Sequence, residues 1–139
     1  MQPTDEVKAL ILRLYEKLAS GGVHEYARQL YSQQDGVLLI GSEPEDRYAG
    51  YEAILGFYRA AGDMVAEVQV DEILARVEGA SGWVFDRVTA RLPDGLEVPV
   101  RHTYVFHREG EAWKVIHAHI SVPIPDQSLS MLIGEIGNG

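Results

Sequence analysis

The stretch AWKVIHAHISV, residues 112–122, predicts how the rest of the chain folds. Successive residues of a strand point to opposite faces, so Trp113, Val115, His117, His119 and Ser121 should share one side. The opposite side carries an almost entirely apolar row, made of Ala112, Ile116, Ala118, Ile120 and Val122 with Lys114 among them. We therefore predict the last strand of a curved sheet, whose first row lines a cavity and whose second row packs against apolar groups.

The composition predicts one folded domain without covalent cross-links. The chain has 139 residues, of which 46% are hydrophobic and none is cysteine, so disulfides, thiol nucleophiles and cysteine–zinc sites are excluded. Lys and Arg number 12 against 21 Asp and Glu, for a net charge of −9, which argues against nucleic acid and anionic membranes as partners. We expect a single domain over residues 1–125, a tail or short helix over 126–139, and a cytoplasmic location, because the acidic N-terminus does not resemble a signal peptide.

The order of the predicted elements indicates an α+β fold. Apolar residues recur at helical spacing in three segments of the first 61 residues, with Thr4 as the expected cap of the first helix and a short strand at 37–40 before the third. Residues 64–122 alternate like strands, and the phase of the alternation flips at Asp71 and Glu72, as at a β-bulge. Pro99 predicts an edge or bulged stretch. We expect three N-terminal helices packed on a strongly bent antiparallel sheet, which makes a cone with a hollow interior.

Histidines of the last strand are the first candidates for chemistry. His117 and His119 would act as general acid and base if both face the cavity, since imidazole titrates near neutrality. Their spacing also suits metal ligation, but a third ligand would have to come from His102 on the neighbouring strand. The structural alternative is that the histidines hydrogen-bond inside a dimer interface. The hairpin register decides between these: pairing of Arg108 with Glu111 turns His117 toward His102 and the cavity.

The strand over residues 83–92 suggests a binding site for an anion. Arg87 shares a predicted face with Trp83 and Phe85, and a charge among aromatic groups is costly unless it is paired. Arg87 would hold a carboxylate or phosphate, although a salt bridge to a buried acid or an edge position in water would also explain it. Tyr104 shares a face with His102 and lines the cavity, or else is a core tyrosine with one satisfied hydroxyl.

Three segments carry a resemblance to a known superfamily: GSEPEDRYAGYEAI at residues 41–54, VFDRVTARLPDG at 84–95 and FHREGEAWKVIHAHIS at 106–121. With the element order, they resemble NTF2-like proteins of the SnoaL-like and ketosteroid-isomerase-like groups. The last two segments are also similar to the association domain of calcium/calmodulin-dependent protein kinase II. That similarity implies oligomerisation through the sheet and a basic pocket residue at Arg87.

The chain departs from these relatives at the residues that carry their chemistry. The resemblance to ketosteroid isomerase places the general base at Leu38, which cannot accept a proton, and the partner acid near His102. It places the hydroxyl donor near Leu14, beside Tyr15, which we retain as a candidate ligand-binding residue. The acid of SnoaL-type cyclases falls near Ala118. Steroid isomerisation by that mechanism is therefore not expected.

Two classes of function follow from the sequence. The first is a small-molecule-binding protein with an internal pocket for a small anionic organic ligand; its enzymatic form would be a cofactor-independent isomerase, dehydratase or cyclase that uses pocket His and Tyr side chains. The second is a non-catalytic oligomerisation module. We expect no metal and no cofactor, and a homo-oligomer formed through the outer face of the sheet by Ile116, Ala118, Ile120 and Val122, which are too apolar as a row to face water.

Overall fold

The computed structural model describes residues 1–138, and it places three helices and two short strands ahead of a four-stranded meander. The helices are α1 (Pro3–Ser20), α2 (Val23–Leu30), α3 (Tyr51–Ala61) and α4 (Asp126–Asn138). The strands are β1 (Leu38–Ile40), β2 (Arg47–Ala49), β3 (Glu67–Glu78), β4 (Ser81–Arg91), β5 (Glu97–Glu109) and β6 (Ala112–Ser121). Strand β2 lies between the predicted short strand at 37–40 and the third helix, and the sequence analysis did not predict it.

Helix α1 forms because apolar side chains recur on one face, where Val7, Ile11 and Leu14 are buried. The expected cap was wrong by two positions: Gln2 precedes the first turn without a side-chain cap, and Pro3 begins the helix, a position that needs no N–H donor. Gly21 ends the helix with a φ of 98°, which favours glycine.

The six strands form one sheet in the order β2-β1-β6-β5-β4-β3. Strands β3 to β6 pair antiparallel, as expected for a meander, whereas β1 pairs with β6 in parallel. Helices α1 and α3 cover the inner face, where Val84, Tyr104 and Phe106 are buried. The predicted α+β cone is confirmed, with a mixed sheet and a fourth helix.

Two irregularities bend the sheet. The β3–β4 register shifts between Val70 and Glu72, which confirms the predicted bulge and leaves Asp71 as the extra residue. The stretch around Pro99 pairs only with β4, because β6 ends at Ser121 opposite Arg101. That stretch is therefore a local edge, which accommodates a residue without an N–H donor.

Helix α4 follows the sheet at the C-terminus. Leu129, Met131, Leu132 and Ile133 are exposed on it, so these four apolar residues remain uncovered by the rest of the described chain. The division of the chain at residue 125 stays a prediction. No helix within residues 1–138 combines the length and the apolar character that crossing a membrane requires.

Candidate functional site

A bulge in β6 reverses the facing that the sequence predicted for its histidines. The hairpin pairs Glu109 with Ala112 and Arg108 with Trp113, so Arg108 does not pair with Glu111 as proposed. The register then shifts, because Phe106 pairs with Val115 but Val105 pairs with His117, and Ile116 is the extra residue. Beyond it the strand presents the opposite row to the interior.

His117 and His119 consequently lie on the outer face of the sheet. Ala118 is fully buried and Ile120 packs against the core, so these two residues of the row assigned to the outer face point inward, whereas Val122, beyond the end of β6, is 41% exposed. The expectation that both histidines line the cavity was wrong, because one inserted residue exchanges the two faces of a strand. A metal site with His102 as third ligand fails for the same reason, since His102 lies on the inner face.

The row of β4 that carries Arg87 also faces outward. Arg87 Nε lies 3.0 Å from Glu72 Oε1 on β3, and both side chains are half-exposed. Trp83 on the same row is 39% exposed, whereas Val84 and Val88 are buried on the alternate positions. The predicted cavity position of Arg87, Trp83 and Phe85 was wrong: Arg87 forms an ion pair with Glu72, which is half-exposed and is not the buried acid of the structural alternative.

The inner row of β4 brings an acid into the core. Asp86 is fully buried between Val84 and Val88, directly opposite His102 on β5. The Nδ1 atom of His102 is 2.7 Å from Asp86 Oδ1, and the Tyr15 hydroxyl of α1 hydrogen-bonds Asp86 Oδ2. Tyr104 Oη lies 2.8 Å from Tyr15 Oη. We call Tyr15, Asp86, His102 and Tyr104 the Asp86 network.

The donors of the network can be assigned by counting protons. A carboxylate only accepts, so Tyr15 donates its single proton to Asp86, and Tyr104 must donate to Tyr15. The His102 nitrogen that meets Asp86 must carry a proton as well, which leaves Nε2 of the neutral ring as an acceptor. Asp86 thereby fixes the tautomer in which His102 Nε2 acts as a base, the role that a carboxylate plays beside a catalytic histidine.

His102 is the member of the network that a ligand can reach. Its side chain is 11% exposed, whereas the Asp86 side chain is sealed. Tyr104 stacks on the imidazole with ring centroids 5.6 Å apart and an interplanar angle of 14°. The ring centroid of Tyr15 lies 5.5 Å from that of the imidazole. Within the described residues, Nε2 has no hydrogen-bond partner and is not buried. The ring is held from two sides while its basic nitrogen stays available.

A second pair of tyrosines lies in the same interior. Tyr31 Oη and Tyr58 Oη are 2.6 Å apart and both side chains are buried. One hydroxyl donates to the other, and the second proton has no acceptor among the described side chains. The pair can therefore donate one hydrogen bond to an oxygen atom that enters the interior.

The phenols of the interior stay protonated through the neutral range. Burial raises the pKa of Tyr15 well above its usual value, and the charge of Asp86 raises it further. Burial likewise raises the pKa values of Tyr31, Tyr58 and Tyr104. These side chains act as hydrogen-bond donors, not as bases.

The sequence analysis brought some of these residues together and missed the central one. Tyr104 and His102 share a face as predicted, and Tyr15 joins them from α1. Asp86 was not among the predicted site residues. Its signal was readable, because Asp86 is the polar member of the otherwise apolar series Val84, Val88 and Ala90. The assigned functions of all eight candidates stay predictions.

The fold defined by this cone and sheet is that of NTF2-like proteins. The pattern of the SnoaL-like domain matches residues 7–125. The chain therefore belongs to the SnoaL-like domain family. No functionally curated protein matches it.

Solved structures share the fold at low sequence identity. An NTF2-like protein of unknown function from Pseudomonas putida KT2440 is 17% identical with a TM-score of 0.76, over 90% of this chain and 89% of that chain. A candidate ketosteroid isomerase from Parabacteroides distasonis ATCC 8503 is also 17% identical, with a TM-score of 0.74 over 89% and 90%. A candidate calcium/calmodulin-dependent protein kinase II association domain from Xanthomonas campestris is 22% identical, with a TM-score of 0.69 over 87% of each chain.

Proposed function

We propose that this chain binds a small organic molecule next to His102. His102 would remove a proton from one atom of this molecule and return it to another, as in a cofactor-independent isomerase or dehydratase. The observation that carries the proposal is the hydrogen bond between the fully buried carboxylate of Asp86 and Nδ1 of His102. A buried charge is costly unless it is paired and hydrogen-bonded, and here the pairing orients a basic nitrogen. The candidate ketosteroid isomerase among the similar structures supports the class of reaction by analogy of fold alone.

Each member of the Asp86 network has a distinct part in this proposal. His102 is the catalytic residue, because Nε2 takes a proton from the ligand and returns it. Asp86 is a positioning residue that also stabilises the protonated imidazole. Tyr15 holds Asp86 and Tyr104 holds the plane of the imidazole, so Tyr104, which the sequence predicted as a pocket tyrosine available for catalysis, has a positioning part in this proposal.

The charge of the interior argues for a neutral ligand. An anionic ligand was expected because Arg87 was thought to face the cavity, and that reason fails with its outward position. Asp86 already supplies a negative charge to the interior, and the tyrosine pair offers a proton to an oxygen. A small carbonyl or hydroxyl compound suits this combination better than an anion does.

Exchange of carbon-bound protons with solvent tests the proposal without knowledge of the physiological ligand. Cyclohexanone and 2-tetralone in D₂O lose the proton signal at the carbon beside the carbonyl when a base removes that proton. We expect the wild-type protein to accelerate the exchange over buffer, and His102→Gln to lose at least tenfold of this rate, since general base catalysis typically contributes about 10²–10⁴-fold.

His107→Gln is the matched control, because His107 lies on the same strand but outside the Asp86 network. Its exchange rate should equal that of the wild type. Asp86→Asn should lower the rate while the folded far-ultraviolet spectrum is kept. Equal rates for wild type and His102→Gln with both ketones would contradict the proposal.

The outer face of the sheet favours assembly as a second candidate function. Leu74 is 48% exposed and Trp83 39% exposed on adjacent strands, and large exposed apolar groups on a sheet mark interaction surfaces. Formation of a homo-oligomer through this face stays a prediction. Its expected contact residues are now Leu74 and Trp83, because Ala118 and Ile120 point to the interior. Sedimentation velocity should show Leu74→Glu dissociating the assembly, and a wild-type monomer at micromolar concentration would contradict it.

A further inference from the structure

A polar cleft lies on the outer face of the sheet, behind the Asp86 network. It has a volume of about 480 Å³ over β5 and β6, and it is lined by Phe85, Arg101, His102, Thr103, His117, His119 and Ser121. The register sets Thr103 opposite His119 and Arg101 opposite Ser121, so these side chains are direct neighbours across the strand pair. His102 belongs both to this lining and to the Asp86 network, where its Nδ1 atom meets Asp86 Oδ1.

The lining is rich in hydrogen-bond donors. It contains the guanidinium of Arg101, the imidazoles of His117 and His119 and two hydroxyl groups, without a carboxylate, and His102 is a third histidine of the lining. Phe85 adds an apolar surface at one side of the cleft. Donors converging without an acid among them are suited to a negatively charged group with several oxygens.

The arginines of the outer face show which charge is left uncompensated. Arg87 pairs with Glu72 at 3.0 Å and Arg91 with Glu67 at 3.0 Å. Arg101 lies directly opposite Arg87, yet no carboxylate of the described chain comes within 4 Å of Arg101. Two like charges on facing strand positions repel each other. In a protein of net charge −9, an arginine without a carboxylate partner beside imidazole and hydroxyl groups is suited to binding an anion from outside the chain.

We propose that this cleft binds the phosphate group of a small aromatic phosphate monoester. Three terminal oxygens of a phosphate can accept from Arg101, the hydroxyl groups and the imidazoles together, whereas a carboxylate offers only two oxygens. Phe85 contacts the aromatic part of the ligand. Arg101 supplies the planar two-point contact that phosphate recognition favours.

Titration calorimetry at pH 7 and low ionic strength tests this with phenyl phosphate, inorganic phosphate and phenol. We expect phenyl phosphate to bind more tightly than inorganic phosphate, and phenol not to bind measurably. Arg101→Gln should weaken phenyl phosphate binding at least tenfold. Arg91→Gln is the control with the same change of net charge on the same face, and it should stay within twofold of the wild type.

Three results would overturn the proposal. Equal weakening by Arg101→Gln and Arg91→Gln would mean that the whole charged surface attracts phosphate without a site. Absence of binding by millimolar phenyl phosphate would exclude the cleft. If the wild type binds no phosphate and Arg101→Gln changes the sedimentation coefficient, the cleft is a contact between copies of the chain.

A further variant tests whether the cleft needs His102. If His102→Gln still binds phenyl phosphate, the cleft binds this ligand independently of the proposed base.

Discussion

Asp86 is a buried acid that requires hydrogen-bond donors from two other elements of the fold. Its carboxylate is fully buried in a row of valines, and it is stabilised by one phenol from α1 and one imidazole from β5. Because breaking a buried pair leaves a partner unsatisfied, the free energy of folding depends on all three groups together. The residue that orients the proposed base is therefore also a residue of the core.

Replacement of Asp86 by alanine tests the structural side of that dependence. The variant leaves the Tyr15 hydroxyl and His102 Nδ1 without acceptors in the core, so Asp86→Ala should lower the free energy of unfolding by about 3 kcal/mol. Urea denaturation measures the loss. Asp63→Ala, at an exposed position after α3, is the control and should change stability by less than about 0.5 kcal/mol. Equal stabilities of the two variants would show that the network is not formed.

At the level of the element, β6 separates what the sequence could predict from what it could not. The alternation of apolar residues predicted four long strands and the bulge at Asp71, because the phase of the pattern itself changes there. The bulge at Ile116 leaves no such mark, since Trp113, Val115, His117 and His119 continue one uninterrupted alternation. The prediction of which side of β4 faces the interior was wrong for a related reason. The aromatic residues Trp83 and Phe85 were taken to mark the inner face, whereas the smaller valines of the alternate positions are the buried residues.

A matched pair of substitutions tests the register of β6 directly. Ala118 is fully buried and His119 is exposed, so Ala118→Asp places an unpaired charge in the core, whereas His119→Asp places one in water. We expect Ala118→Asp to lower stability by more than about 3 kcal/mol or to prevent folding, and His119→Asp to change it by about 0.5 kcal/mol. Thermal unfolding and soluble yield report the difference. If His119→Asp were the more destabilising of the two, His119 would face the interior, as the sequence predicted.

At the scale of the whole molecule, the interior is a cone closed by hydroxyl-bearing aromatic side chains. Tyr15 and Tyr104 belong to the Asp86 network, and Tyr31 and Tyr58 form the second pair. Each hydroxyl group makes a hydrogen bond to another phenol, and Tyr15 also donates to Asp86, which lets these polar atoms lie in an apolar core. The interior therefore keeps its four phenolic protons as long as the fold persists.

This arrangement predicts a sharp loss of stability at alkaline pH. Unfolded tyrosines lose their protons near pH 10, but the raised pKa values of Tyr15, Tyr31, Tyr58 and Tyr104 keep these four protonated in the folded chain. The native state then binds more protons than the unfolded state, so stability is fully present below pH 10 and falls above it, by about 5 kcal/mol per pH unit for the four together.

Absorbance of tyrosinate at about 295 nm and far-ultraviolet circular dichroism, followed during the same alkaline titration, measure this effect. The main rise in tyrosinate should coincide with the loss of secondary structure. Complete ionisation of all seven tyrosines in a protein that keeps its native spectrum would contradict the sealed interior.

The central claim is that His102, among five histidines, meets the ligand of the interior. Proton–carbon correlation spectra of protein labelled with ¹³C-histidine, recorded during titration with 2-tetralone, test it most directly, with the His102 signal assigned by its absence in His102→Gln. The account predicts a saturable shift of the His102 signal, while the signals of His117 and His119 stay in place. A shift confined to His117 and His119, or no shift of His102 at saturating ketone, would contradict it.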